Sequence, residues 1–373
     1  MVIVQRVVPH YRVAFLDGLH DRLWRSLGVE LVIIYGQERA GTVPRSEVYE
    51  RPWSVRIVNR YLRVGETDLT WQPCLSWRAG ADLVVVEQAN RLLLNYLLIA
   101  RRSVGLGRLA FWGHGRNLQR AVGGGFRETW KRLTVANVDW WFAYTEHTRQ
   151  YLRGVGVPSA RITVVNNAID TAELSQAAVS LQDRELYALR TGLGIRSERV
   201  GVYCGGIYPG KRLDFLIEAG DRIRSDLGDF ELVVVGDGPS ASFIVDASVS
   251  RSWLHYVGAR FGRDRVPYLQ LGKLMMMPGP VGLVILDCFA LGIPLFTTDL
   301  ATHGPEIAYL QAGINGVMTA NNTRAYADAV VAYFGDPDQQ AALAGGCLES
   351  ARRYTLEGMV DRFADGIMRC LAT

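Results

Sequence analysis

The 373-residue sequence contains no paired cysteines, no secretory start and no recognisable cluster of metal ligands. Its five cysteines are scattered and include no C-x-x-C pair, which argues against a disulfide framework and against a zinc site. No basic stretch followed by an apolar one and a small-residue cleavage site opens the chain, so no secretory signal is predicted. No Asp-x-Asp pair follows a predicted strand. We therefore expect reduced, buried thiols in a cytoplasmic protein without a metal ion.

Charge is unevenly distributed along the chain. Residues 1–170 contain 23 Lys and Arg against 14 Asp and Glu, a net charge of +9, whereas the remainder has 18 against 23, a net charge of −5. A basic front half suggests an anionic partner, and a phospholipid surface, a lipid diphosphate and a nucleic acid are all open. The alternative is a solvated arginine-rich surface. With 49% hydrophobic and 21% charged residues, the composition is that of a folded protein.

Residues 273–298 form a long apolar stretch in which Asp287 is the only charge after Lys273. Hydropathy alone would suggest a membrane span, but prolines and glycines divide the stretch into shorter pieces. We predict a buried strand at 274–277, a tight turn, and a helix over 282–291. The N-terminus of such a helix presents free N–H groups and a partial positive charge, which predicts a site for an anion such as a diphosphate.

Apolar strand patterns alternate with helical patterns along the whole chain. The predicted strands are 2–8, 29–35, 82–86, 108–112, 140–144, 162–165, 200–203, 231–235, 253–257, 274–277 and 294–297. This alternation predicts an α/β fold of Rossmann-like, doubly wound parallel sheets. Because the chain is too long for one ordinary hydrophobic core, we expect two such domains that face a cleft. We place the domains at 1–169 and 170–352. A last amphipathic helix is expected within 353–373.

Lysine is rare enough to make its positions informative. Of the 41 basic residues only three are lysines, and one of them, Lys211, follows the glycine-rich end of a predicted strand and precedes a helix. A lysine is unfavourable at a helix N-terminus unless an anion lies nearby. Asp287, inside the helix of the apolar stretch, would accept hydrogen bonds from vicinal hydroxyls or would pair with an arginine.

Four stretches in the second half resemble the retaining GT-B glycosyltransferases of family 4 (GT4) in their order and spacing. They are residues 205–217, 234–239, 257–258 and 278–294, and residues 167–170 are similar to the Asn-Gly-Ile-Asp that precedes the second domain of that family. The chain departs from the family pattern at three positions. Gly206 replaces an arginine of the diphosphate turn, Gly279 replaces the first glutamate of a Glu-x7-Glu motif, and Asp287 replaces the second.

The resemblance implies three groups of site residues. The catalytic residues are His114, Lys211 and Asp287. The donor-binding residues are Gly205, Gly206, Lys211, Gly236, Gly258, Gly279, Val281, Gly282, Leu283 and Asp287. The acceptor side or phosphate loop comprises His10, Tyr11, Arg12, Gln88, Asn90, Arg116 and Asn117. In this interpretation Asp287 keeps the ribose contact, and the last helix returns to the first domain.

The implied activity is the transfer of a sugar, with retention and without a metal ion, from a nucleotide-diphosphate-sugar to an acceptor. A UDP-sugar is favoured over a GDP-sugar as the co-substrate, and no further cofactor or nucleic acid is expected. The acceptor would be a saccharide, a lipid-linked saccharide or a small molecule in polysaccharide, glycolipid or metabolite biosynthesis. The alternatives are a nucleotide-sugar 2-epimerase and a non-catalytic protein that binds a nucleotide-sugar or docks on anionic lipid through its basic half.

Overall fold

A computed structural model of the protein describes residues 1–41, 48–65, 67–75, 80–105, 107–115 and 134–373. Its internal contacts divide the chain into two compact units. The first unit comprises residues 1–170 and 356–373, and the second comprises residues 171–355. The sequence pattern also predicts a helix over 126–136, most of which lies outside the described residues.

The first unit contains a seven-stranded parallel sheet with the strand order β3-β2-β1-β6-β7-β8-β9 and a separate antiparallel hairpin, β4-β5. Its strands are β1 (Val2–Gln5), β2 (Val32–Tyr35), β3 (Ser54–Arg56), β4 (Arg60–Val64), β5 (Thr67–Trp71), β6 (Leu83–Glu87), β7 (Arg108–Gly113), β8 (Trp140–Ala143) and β9 (Ile162–Val164). Its helices include α1 (Val13–Leu27), α2 (Leu93–Ser103), α3 (Glu146–Gly154) and, from the end of the chain, α12 (Leu356–Ala372).

The strands at the centre of this sheet are almost entirely apolar because both of their faces are covered. Val4, Val86, Phe111 and Trp141 belong to one buried cluster. The last helix, α12, packs its apolar side on the same unit, where Phe363 stacks on Phe142 of β8 with a ring-centroid distance of 4.0 Å.

The second unit contains a six-stranded parallel sheet with the order β12-β11-β10-β13-β14-β15. Its strands are β10 (Val200–Cys204), β11 (Glu231–Val235), β12 (Leu254–Gly258), β13 (Leu274–Met276), β14 (Leu295–Thr298) and β15 (Gly316–Thr319). Its helices are α4 (Ala172–Ser180), α5 (Asp183–Leu193), α6 (Leu213–Leu227), α7 (Ala241–Val249), α8 (Val266–Gln270), α9 (Val284–Leu291), α10 (Thr323–Phe334) and α11 (Pro337–Arg353).

Each sheet has one point at which the strand order reverses. In the first sheet the chain moves outward from β1 through β2 to β3 and then returns to the other side of β1 as β6. In the second it moves from β10 through β11 to β12 and returns beside β10 as β13. Parallel sheets of this kind bind ligands beyond the carboxyl ends of the strands at such a switch point. The topology therefore predicts a ligand-binding position at the switch point of each unit.

The predicted α/β class and the parallel sheets are confirmed, and the apolar stretch at 273–298 is indeed strand, turn, helix and strand. Three features were not predicted: strand β3, the hairpin β4-β5 and the edge strand β15. Each is short or largely exposed, so its sequence does not show a buried apolar run. In the described part of the chain, no helix combines the length and the apolar character needed to cross a bilayer. The five cysteines are buried thiols.

Candidate functional site

Three loops at the carboxyl edge of the second sheet are joined through their main chains. Gly205, directly after β10, donates its N–H to the carbonyl of Val235 at 3.0 Å. Gly236 donates to the carbonyl of Gly258, the last residue of β12, also at 3.0 Å. A Cβ on Gly236 would overlap the carbonyl oxygen of Gly205, so only glycine allows this approach. These three glycines of the predicted donor site therefore lie in adjoining loops.

Lys211 connects this edge with the turn that follows β13. Its ammonium group donates to the carbonyl oxygen of Pro280 at 2.6 Å and lies 5.8 Å from the centroid of the Tyr208 ring. Burial lowers the pKa of Lys211, and no carboxylate among the described residues lies within ion-pair distance. A half-buried cation without a counter-charge is stabilised by any anion that binds beside it.

Gly279 packs against the main chain of Lys211. A Cβ at position 279 would lie 2.5 Å from the carbonyl oxygen and 2.8 Å from the carbonyl carbon of Lys211. At Gly206, a Cβ would meet the ring of Tyr208 at 2.9 Å. A glutamate at 279 would therefore require one of the two turns to move, whereas an arginine at 206 would require the Tyr208 ring to shift. The departure from the GT4 pattern at Gly279 has a steric explanation.

The turn before α9 contains three of the predicted donor-binding residues, Val281, Gly282 and Leu283, whose amide groups would face the diphosphate. The N–H of Val281 donates to Nδ1 of His303 at 3.0 Å, and Nε2 of this histidine donates to the carbonyl of Thr298 at 2.8 Å. The expectation that the Val281 amide faces a diphosphate is therefore wrong, because a buried histidine already accepts from it. The N–H groups of Gly282 and Leu283 have no acceptor within the described residues. They remain available to an anion.

Asp287 is buried in α9 and forms an ion pair with Arg265. Nη2 of Arg265 lies 3.0 Å from Oδ1 of Asp287, whose side chain is 3% exposed. Burial raises the pKa of Asp287 to about 6, and the charge of Arg265 opposes this shift. Of the two alternatives from the sequence, pairing with an arginine is present, and the ribose contact stays a prediction. No group of three potential metal-binding side chains occurs in the described ranges.

The predicted phosphate loop of the first unit forms a short 3-10 helix, His10–Arg12, after Pro9. The guanidinium group of Arg12 is buried, donates to Oδ1 of Asn167 at 2.6 Å, and lies 4.7 Å from the Trp112 ring. The Arg12 side chain is therefore engaged within the protein, and its role in the phosphate loop stays a prediction. His10 and Tyr11 are exposed, and their ring centroids are 5.7 Å apart.

The other predicted residues of the first unit follow two neighbouring strands. His114 comes directly after β7, partly buried, with its ring 6.0 Å from that of Tyr144. Gln88 and Asn90 lie in the loop that follows β6, where Asn90 is exposed and its carbonyl accepts from the Tyr96 hydroxyl. Two predicted residues lie outside the described residues: Arg116 and Asn117. The functional roles of this group stay predictions.

Sequence reasoning missed two residues of the second site, His303 and Arg265. His303 comes five residues after the end of β14, so its position beyond a predicted strand was a usable signal. Arg265 is one of 38 arginines and follows no predicted strand directly, so nothing in the sequence distinguishes it.

Comparison with known families identifies the domain that carries these turns. Residues 198–336 match the family model described as "Glycosyl transferases group 1". The chain therefore contains a glycosyl transferases group 1 domain. The alpha-D-kanosaminyltransferase of Streptomyces kanamyceticus is 28% identical over 197 residues, which are 48% of this chain and 48% of that protein. The similarity thus spans about half the length of that relative.

Solved structures extend the likeness to the whole chain. Anabaena HepE in complex with UDP has a TM-score of 0.69 at 13% identity, with 98% of both chains covered. Sucrose-phosphate synthase from Thermosynechococcus elongatus has a TM-score of 0.71 at 14% identity, covering 100% of this chain and 98% of that one. At such identities the likeness is one of fold. The two Rossmann-like sheets are those of the GT-B fold.

Proposed function

We propose that this protein is a retaining glycosyltransferase of family 4 that transfers a sugar from a nucleotide-diphosphate-sugar to an acceptor hydroxyl. The group 1 domain supports the reaction class, and the sequence resemblance supports family 4 and retention. HepE has been solved with UDP and with UDP-glucose, which supports a UDP-sugar ahead of a GDP-sugar as the donor. The acceptor would belong to polysaccharide, glycolipid or metabolite biosynthesis.

One observation carries the proposal: at the switch point of the second sheet, the described residues include a cation without a counter-charge and two amides without an acceptor. Lys211 follows β10, and Gly282 and Leu283 follow β13, its neighbour in the sheet. The close packing of Gly279 on Lys211 keeps the two turns in contact. A diphosphate matches this arrangement, because amides at a helix N-terminus and an ammonium group both stabilise phosphate oxygens.

In the proposed reaction, the bond between the anomeric carbon and the β-phosphate oxygen breaks, and negative charge develops on the departing phosphate. Lys211 and the amides of Gly282 and Leu283 are fixed donors for that charge, and removal of one such donor typically costs about 3–4 kcal/mol. The acceptor hydroxyl attacks from the face that the diphosphate leaves. Its proton passes to the departing phosphate oxygen, so the anomeric configuration is retained.

Two further roles complete the proposal and follow from the resemblance. Asp287 would accept hydrogen bonds from the ribose hydroxyls, while its ion pair with Arg265 keeps the carboxylate charged and fixed. His114 would bind the donor sugar. The remaining residues of the first unit would serve the acceptor: His10 and Tyr11 after β1, and Gln88 and Asn90 after β6.

The test begins with a thermal-shift screen of UDP- and GDP-sugars, followed by an assay of each hit for release of the nucleotide. The Lys211→Ala variant should release nucleotide about 10²–10³-fold more slowly, because the developing charge loses a fixed donor. Lys273→Ala is the matched control. It removes an exposed lysine that precedes β13, at the edge of the sheet opposite to the two turns, and should turn over like the wild type. Equal rates in both variants would contradict the proposed function.

A further inference from the structure

The switch point of the first sheet carries two arginines that the sequence analysis did not single out. Arg6 directly follows β1, and Arg91 lies in the loop after β6, the strand that pairs with β1 on the return side. The carboxyl ends of these two strands are where a doubly wound sheet binds its ligand. Arg6 and Arg91 thus occupy the position in the first unit that corresponds to the diphosphate turns in the second.

The main chain of Arg6 is fixed by hydrogen bonds, whereas the partner of its guanidinium group among the described residues is a neutral hydroxyl. Its N–H donates to Oε2 of Glu87 at 2.8 Å, and its carbonyl accepts from Nδ2 of Asn59 at 2.7 Å. The side-chain Nη1 donates to the hydroxyl of Tyr61, on hairpin strand β4, at 3.4 Å. The guanidinium group retains further N–H donors, since it carries five.

The hairpin brings the Arg91 loop toward Arg6, because Tyr61, which accepts from Arg6, pairs with Thr70 of β5. Although much of Arg91 is exposed, burial of its side chain is the larger cause that lowers its pKa, and the Arg6 charge lowers the pKa further. Glu87 and Asp68 act in the opposite direction. Asp68 is already paired with Arg39 at 2.6 Å. Hairpin strand β5 fixes the loop, because the N–H of Thr70 donates to the Arg91 carbonyl at 2.8 Å.

Neither arginine forms an ion pair with a carboxylate of the described residues, so the pair holds excess positive charge. Glu87 compensates part of this charge, and one of its oxygens accepts from the Arg6 main chain. A carboxylate ligand would supply one negative charge, whereas a phosphate group supplies up to two. Arginine also matches phosphate oxygens with pairs of parallel N–H donors. Phosphate therefore fits this pair better than a carboxylate does.

We propose that the first unit binds a phosphate-bearing acceptor, a phosphate monoester or a diphosphate, between Arg6 and Arg91. The net charge of +9 in residues 1–170 agrees with this assignment. The identification of the ligand as the acceptor rests on the proposed function, whereas the binding of phosphate at this pair does not. The phosphate would belong either to a soluble compound or to a lipid-linked saccharide.

Calorimetric titration of the full chain with inorganic pyrophosphate tests the site. The wild type should bind two pyrophosphates, one at each switch point. The Arg6→Gln/Arg91→Gln variant should lose the first-unit site, with an affinity there reduced about 100-fold, since each charged hydrogen-bond donor typically contributes about tenfold or more. The control Arg60→Gln/Arg63→Gln removes the same charge from exposed positions of β4 and should keep both sites.

Retention of two sites in the Arg6→Gln/Arg91→Gln variant, or an equal loss in the control, would overturn the inference. Arg91→Gln alone, at an exposed position, should already weaken the site about tenfold, and melting temperatures show whether each variant is folded. Lys211→Ala separates this inference from the proposed function, because it should lose only the second-unit site. If Lys211→Ala still bound two pyrophosphates, the proposed function would be contradicted, but the inference about the Arg6/Arg91 site would not.

Two further titrations distinguish the sources of the phosphate. If dodecyl diphosphate binds the first-unit site more tightly than pyrophosphate does, the ligand is lipid-linked, and equal affinity indicates a soluble phosphate. Vesicles of phosphatidylcholine with and without phosphatidylglycerol provide the third probe. If the Arg6/Arg91 pair affects binding to the anionic vesicles but not to pyrophosphate, the pair serves a membrane surface and the inference is wrong.

Discussion

The two switch points of this protein have the same topology but present positive charge by different means. In the second unit the charge comes from a single ammonium group and from main-chain amides, and the site is built by two turns packed at Gly279. In the first unit it comes from the guanidinium groups of Arg6 and Arg91, and hairpin residues such as Tyr61 hold the surrounding chain. In the proposed account, the same sheet order supports a main-chain anion site in one unit and a side-chain anion site in the other.

This difference predicts how each site responds to substitution. A main-chain site depends on close backbone approach, so it is sensitive to any added Cβ where two turns touch. A side-chain site depends on charge and reach, so it tolerates changes in the backbone nearby and fails when the arginines are replaced.

The largest effect is expected from Gly279→Glu, which restores the acidic residue of the GT4 pattern. The new side chain would collide with the Lys211 main chain and should lower the free energy of unfolding by about 3 kcal/mol. Gly282→Ala is the matched control, since nothing lies within 4 Å of a Cβ at that position, and its stability should change by less than about 0.5 kcal/mol. Urea unfolding measures both. Equal stability of the two variants would show that the turns are not packed as described.

A smaller loss is expected from Arg12→Met in the first unit. The substitution removes a charged hydrogen bond to Asn167 and a contact with the Trp112 ring, and should cost about 1–3 kcal/mol in unfolding experiments. Arg25→Met, at a side chain that is 75% exposed, is the control and should be nearly neutral. Because Arg12 is engaged within the protein, its loss should leave pyrophosphate binding unchanged. A loss of that binding would place Arg12 in the anion site.

The sheets were predictable because their central strands are buried on both faces and therefore read as continuous apolar runs. β6 and β11 are examples. The only charged residue of β6 is its last, Glu87, and the only charged residue of β11 is its first, Glu231. The hairpin β4-β5 was missed for the opposite reason. Most of β4 is exposed and it contains two arginines. The hairpin with β5 therefore has no run of apolar residues by which the sequence could predict it.

The second site was only partly predictable. Lys211 was found because a rare residue type follows a glycine-rich strand end, and the position of Asp287 in a helix was read from the apolar pattern around it. The contacts of Val281 with His303 and of Asp287 with Arg265 join residues 22 positions apart. Periodicity carries information about neighbours within one element, so contacts between elements appear only in the folded chain.

The smallest effect concerns the pH dependence of stability through His303. Burial is the largest cause that lowers the pKa of His303 from its ordinary 6.5, and the neighbouring Lys211 charge lowers it as well, although the Thr298 carbonyl and Asp299 oppose them. The unfolded chain therefore binds more protons below that pH, and His303 makes the fold less stable as the pH falls through 6.5.

His303→Gln tests this contribution, because glutamine keeps a donor and an acceptor but does not titrate. The variant should show a shallower loss of melting temperature between about pH 7.5 and 5.5 than the wild type. Asp287 acts in the opposite direction, since its raised pKa of about 6 makes the folded state bind more protons below that pH. This term is common to both proteins, so the difference between their curves isolates His303. Parallel curves would contradict the assignment.

A crystal structure of the full chain with UDP tests the central claim most directly. The β-phosphate should lie within hydrogen-bonding distance of Nζ of Lys211 and of the N–H groups of Gly282 and Leu283, with the ribose beside Asp287. A diphosphate bound away from both turns would contradict the account.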